Sequence, residues 1–85
     1  MKWTFKRIKT TRTIEEQKVK ILNEIEEYNF EQTKVEKDKE AVDILHSVET
    51  FLRLRFKDRE DELEKLIKST IIKNEKRGYY ENDCY

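Results

Sequence analysis

Apolar residues recur at intervals of three and four along most of this chain, and alternation by two occurs only near its start. Between Met1 and Arg12, Trp3 and Phe5 alternate with polar neighbours, the pattern of an extended arm or a short strand. From there Ile14, Ile21, Leu22, Ile25 and Tyr28 fall on one helical face. Thr13 with Glu16 fits a capping box that opens this first helix. Asn29 to Gln32 reads as a turn, and Thr33 with Glu36 forms a second box. The second helix is predicted from about Lys34 to Phe56. Its Ala41, Val42, Ile44, Leu45, Val48, Phe51, Leu52 and Leu54 cover most of the circumference, which predicts a central helix packed on more than one side. Lys57 and Asp58 break the pattern, and Asp58 is predicted to cap a third helix. Leu63, Leu66, Ile67, Thr70 and Ile71 then make one stripe, and Gly78 supplies the stop. The fold class expected is all-α: three main helices per chain in a helical bundle, completed by oligomerisation. The predicted organisation is a basic extended arm over 1–12, a helical domain over 13–78 and a tail over 79–85.

Composition sharpens this picture. The chain has 85 residues with no proline and a single glycine, and 45% of them are charged against 35% hydrophobic. A chain of this size buries only about 60–65% of its unfolded surface, so a homodimer or homotetramer is expected. Nineteen basic and nineteen acidic residues cancel, which argues against nucleic-acid or membrane partners recruited by global charge. Charge is nevertheless uneven. Lys2, Lys6, Arg7, Lys9 and Arg12 share the arm with no acid. Either the arm attracts phosphate, or it packs Trp3 and Phe5 on a neighbouring subunit; the second reading is favoured. The single cysteine, Cys84, cannot form an internal disulfide, as expected of a cytoplasmic protein. No apolar run approaches a membrane span, and the charged start lacks the apolar segment of a secretory signal.

Candidate chemistry concentrates in the acids. Glu24 and Glu27 are three apart, as are Glu40 and Asp43, so each pair shares one face of its helix. Glu24 and Glu27 border the apolar stripe, whereas Glu15 and Glu26 fall toward solvent. Glu40 and Asp43 are interleaved with Val42 and Ile44, where an acid is costly unless paired or metal-bound. If the two helices pack antiparallel, four carboxylates converge, and like charges at that spacing demand protons or a cation. An all-oxygen set suits Mg²⁺ or Mn²⁺. Asp43 and His46 are spaced like half of a di-iron carboxylate site, but such a site needs a second carboxylate–histidine element. The chain has one histidine, so that element would have to come from another copy.

Gln17, Lys20, Glu24 and Glu27, followed by Glu40 and Asp43, resemble the signature of the MazG-like all-α nucleoside triphosphate pyrophosphohydrolases. The ending Lys73, Asn74, Arg77, Gly78 and Tyr79 is similar to the close of small, often phage-encoded members. The likeness extends from Thr13 to Tyr80; Asn23 departs from it, standing where the family usually has another Glu. The resemblance implies Mg²⁺-dependent (or Mn²⁺-dependent) cleavage of a nucleotide between its α- and β-phosphates, giving a monophosphate and pyrophosphate. It implies a metal held by Glu24, Glu27, Glu40 and Asp43, with Glu24 or Glu27 as the catalytic group that orients water. Lys73, Asn74 and Arg77 would then bind substrate phosphates; helix-end capping is the alternative reading of Lys73 and Arg77. Asn23 implies one weakened metal position or the loss of a second metal. The alternative functional class is a non-enzymatic helical interaction or regulatory module, or a MazG-like fold whose activity has lapsed.

Overall fold

The computed structural model describes residues 1–81 of the chain; Cys84 and the last part of the expected tail lie outside the described residues. Three helices account for most of it: α1 (Ile14–Phe30), α2 (Lys34–Arg55) and α3 (Glu60–Lys76). The described residues contain no strand, and no helix is long and apolar enough to cross a membrane.

Local chemistry accounts for where each helix starts and stops. Thr13 caps α1 through the full capping box: its hydroxyl accepts from Glu16 N at 3.1 Å, and the Glu16 carboxylate accepts from Thr13 N at 2.9 Å. The helix runs past the turn expected at Asn29, so the connection is only Glu31 to Thr33. At the start of α2 only half of the second box forms. The Thr33 hydroxyl accepts from Glu36 N at 3.1 Å, but the Glu36 carboxyl turns to Glu31, and that contact raises the Glu31 carboxyl above its ordinary value. Helix α2 ends at Arg55, with Phe56 as its cap.

Asp58 does not cap α3. It takes the left-handed conformation (φ 61°), and Arg59 stands at the cap position without a side-chain cap bond. Asp tolerates this conformation better than most residues, and it lets the chain reverse between α2 and α3. Gly78 has φ 71° and ends α3 as expected. Its N–H donates to Glu75 O and that of Tyr79 to Asn74 O, both at 3.0 Å, the paired bonds of a Schellman motif.

Helices α1 and α2 form the one extensive helix–helix interface, an antiparallel hairpin. Its centre is polar: Gln17, Glu24, Ser47 and Thr50 are buried, while the buried apolar side chain is Leu63 of α3. The apolar positions read as packed on several sides of α2 are only partly covered, with Val42 and Leu45 about half exposed at 53% and 48%. Leu66, Ile67, Ile71 and Ile72 of α3 are exposed too.

The N-terminal arm docks on its own chain rather than waiting for a neighbour. Glu49 accepts from Thr4 N at 3.0 and 3.1 Å and from Phe5 N at 3.0 Å. Arg53 donates to Phe5 O at 2.5 Å and lies over the Trp3 ring, 4.6 Å from its centroid. Phe5 stacks on His46 with centroids 4.4 Å apart. Trp3 Nε1 donates to Glu60 at 2.7 Å, and the amino terminus pairs with Glu64 at 3.0 Å, so the arm also ties down the start of α3.

Burial opposes the charge of Glu49, but the Phe5 and Thr4 N–H groups and the Arg53 guanidinium outweigh it and hold its carboxyl below the ordinary 4.5. A depressed carboxyl contributes stability above its unfolded value and loses it as pH falls through the folded one. Acidification below about pH 4.5 is therefore expected to release the arm, seen as a shift in Trp3 fluorescence. In Glu49→Gln that transition should vanish, and Glu49→Ala should cost about 1–2 kcal/mol in urea unfolding, the lower part of the range for hydrogen bonds to a charge because these are partly open to water. An unchanged Trp3 signal in both variants would show that Glu49 does not hold the arm.

Candidate metal centre

The hairpin sets the geometry. Gln32 lies midway between Glu24 and Glu40, eight residues from each, so in an antiparallel pair these two stand level. Glu27 lies one turn nearer the connection on α1, and Asp43 one turn farther from it on α2. Carboxylate oxygens of Glu24, Glu40 and Asp43 lie within 4.8 Å of one another. Glu27 is exposed and its carboxyl meets that of Glu40. All four acids named from the sequence thus face one gap between α1 and α2.

Their surroundings differ. Glu24 is buried, accepts from the Ser47 hydroxyl and lies 3.7 Å from Lys20 Nζ. Ser47 is itself held by the buried Gln17, whose Nε2 donates to Ser47 O at 3.0 Å, and Arg12 donates to Gln17 at 3.3 Å. Glu40 lacks such support, and its buried Oε2 meets no donor. The Glu40 carboxyl is pushed above its ordinary value, first by desolvation and then by the charges of Glu27 and Asp43, its contact with Glu27 and the charge of Glu24. Two carboxylates in contact require a shared proton or a cation.

The donor set fits a hard divalent cation. Around Mg²⁺, with oxygens at about 2.1 Å, ligand atoms stand roughly 3–4.2 Å apart. From a separation of 4.8 Å the oxygens need to close by roughly 0.6–1.8 Å, within the reach of side-chain rotation. The orphaned Glu40 oxygen is the position where positive charge is missing.

Beside the cluster opens a cavity lined by Arg12, Glu16, Val19, Lys20, Asn23, Glu24 and Glu27; Asp38, Lys39, Val42 and Asp43 line a second, on the α2 side. Neither takes a residue from α3. Lys73, Asn74 and Arg77 stand at the far end of α3; Arg77 lies over its neighbour Tyr79, and none of the three contacts the acids. His46 stacks on Phe5 with its Nε2 buried and unpartnered, away from the acid cluster. Ser47 and Arg12 are the residues that reading by motif passed over. Ser47 lies thirty residues from Gln17 and twenty-three from Glu24, a separation that periodicity does not report.

Comparison with protein-family models, with curated proteins and with solved structures finds no match to this chain.

A raised carboxyl binds its proton more tightly in the folded chain than in the unfolded one. The stability it contributes is present below pH 4.5 and is lost as pH rises through the elevated folded value. In metal-free buffer at pH 7, Glu40→Gln is expected to melt at a higher temperature than the parent chain. The gap should shrink as pH falls toward 4. A variant that melts lower at pH 7 would mean that Glu40 is compensated by a group other than a proton or cation.

Proposed function

We propose that this chain is a metal-dependent nucleotide pyrophosphohydrolase of the MazG-like kind, acting on an NTP or dNTP in the cytoplasm. The observation that supports the reading is the meeting of Glu24, Glu27, Glu40 and Asp43 across the α1–α2 gap, with a Glu40 oxygen left without a donor. Those four residues would hold Mg²⁺ or Mn²⁺. When bound, such an ion neutralises phosphate charge and lowers the pKa of water.

The remaining roles belong to side chains of the chain itself. Glu24 is oriented by Ser47 and Lys20, which suits a ligand that keeps its place. Glu27 is exposed at the mouth of the cavity, which suits the acceptor of a proton from water attacking the α-phosphate. Arg12 and Lys20 border the same cavity and can meet phosphate oxygens, Arg12 through its planar fork and Lys20 as a point charge. For phosphoryl transfer, such positioning and charge neutralisation supply most of the rate.

Lys73, Asn74 and Arg77 keep a substrate role only if a neighbouring copy delivers them. Self-association has independent support. The chain exposes 7232 Å² where a compact monomer of its mass exposes about 5,400 Å². Its Cα radius of gyration is 15.4 Å against about 12 Å for a compact domain of this length. Covering the apolar faces of α1 and α3 in a homodimer or homotetramer would relieve both excesses.

A second reading draws on the same faces. A helical interaction or regulatory module uses exposed Leu22, Ile25, Leu66 and Ile72 to bind a partner and carries the acids as solvated surface. Metal separates the two readings. Mg²⁺ at about a hundred times its Kd should stabilise the enzyme by about 2.7 kcal/mol, a rise in Tm of roughly 10–20 °C for a domain of this size. A panel of nucleotides with Mg²⁺ should release pyrophosphate, and Glu27→Gln and Asp43→Asn should lower the rate by about 10²–10⁴-fold with helicity retained. No metal-dependent stabilisation and no turnover on any nucleotide would support the interaction module instead.

A further inference from the structure

Toward the C-terminal end of α2, beyond the turns that carry the acids, the N-terminal arm borders a cavity of about 480 Å³. Its walls are Arg7, Ile8, Lys9, Thr10 and Thr11 from the arm, Thr50, Arg53 and Leu54 from α2, and Lys57 from the turn that follows it. Four of these carry positive charge and none carries negative charge. In a chain whose charges cancel overall, this is a concentrated exception. Three of the cations, Arg7, Lys9 and Lys57, make no ion pair among the described residues.

The fourth cation is fixed in place. Arg53 is stacked on Trp3 and donates to Phe5 O, so its planar head is held without cost at the moment a ligand arrives. Hydroxyl protons are available beside it. Thr10 Oγ1 accepts from Arg12 N and so keeps its own proton to donate, and the Thr11 hydroxyl has no partner among the described residues. Thr50 differs, because its proton goes to His46 O. Asp58, Glu60 and Asp61 border an adjoining cavity on the far side of Arg7, Arg53 and Lys57. None of those acids approaches the three cations within ion-pair distance, and Glu60 is occupied by Trp3.

We infer that this cavity beside the arm is a binding site for a small ligand carrying two or more linked phosphoryl groups. Three cations without an ion pair, a pre-positioned guanidinium whose charge Glu49 also shares, and hydroxyl donors match the charge and the many acceptor oxygens of such an ion. An isolated orthophosphate satisfies only part of the set. A nucleic-acid backbone is disfavoured by the absence of an aromatic on its walls for bases to stack on. The site shares no lining residue with the carboxylate cavity and does not depend on the metal-dependent reading.

The test is calorimetric titration of the full chain with orthophosphate, pyrophosphate and tripolyphosphate, in EDTA and low salt so that no divalent ion contributes. Affinity should rise in that order and fall with added salt. An Arg7→Ala/Lys9→Ala double variant should weaken pyrophosphate binding by at least about tenfold, and Lys57→Ala, on the opposite wall, by several-fold. Arg7→Lys should retain most of the binding. Circular dichroism of each variant checks the fold, and Arg7, Lys9 and Lys57 are exposed with no ion pair to lose. No binding of any of the three anions would overturn the inference, as would binding unaffected by the arm and Lys57 substitutions. So would a short oligothymidylate that binds more tightly than tripolyphosphate, which would make the site a nucleic-acid groove.

Discussion

A buried carboxylate held by a serine hydroxyl is the constraint around which this hairpin is built. Glu24 lies inside a chain that buries hardly any apolar side chain. A buried charge is tolerated only when paired and hydrogen-bonded. Ser47 donates to it, Lys20 stands near it, and Gln17 clamps the backbone of Ser47 from the same helix that carries Glu24. This polar seam sets the register of α1 against α2, because a one-residue slip would leave both Glu24 and Gln17 without partners. Register in turn brings Glu40 level with Glu24, with Glu27 one turn to one side and Asp43 one turn to the other. The acid cluster is thus a consequence of the seam as much as of the four acids.

Much of the fold was legible because it is written at short range. Periodicities of three and four residues marked all three helices, the Thr13–Glu16 box marked the start of α1, and Gly78 marked the end of α3. Pairs of acids three apart identified faces for the same reason. What escaped needs contacts between distant residues or choices between nearly equal conformers. Asp58 took the left-handed position instead of the cap because the reversal after Phe56 needed such a residue, and Glu36 faced Glu31 instead of closing its box. The docking of the arm on Glu49 and Arg53 joins residues more than forty apart, beyond the range of any local pattern. The same limit hid Ser47. It also concealed that Lys73, Asn74 and Arg77 line neither cavity beside the acids.

Charge is partitioned where the totals suggest balance. The hairpin near its connection carries Glu24, Glu27, Glu31, Glu36, Glu40 and Asp43, and the contacts among them raise the carboxyls of Glu31 and Glu40. The arm, the last turn of α2 and the turn after it carry Arg7, Lys9, Arg53 and Lys57. Neither territory neutralises the other. Each therefore retains an electrostatic demand that a ligand of opposite sign would meet: a divalent cation at one, a polyphosphate at the other. The thin apolar core and the uncovered stripes of α1 and α3 add a third demand, for a further protein surface.

In the proposed enzyme, acids of two helices share one cation. Paramagnetic broadening of backbone amide signals by substoichiometric Mn²⁺ tests it most directly, because the effect maps distance from the ion. Amides around Glu24 and Glu27 and around Glu40 and Asp43 should fade first and together, while those of the arm and α3 persist. Broadening confined to one helix, or scattered over exposed acids without preference, would contradict it.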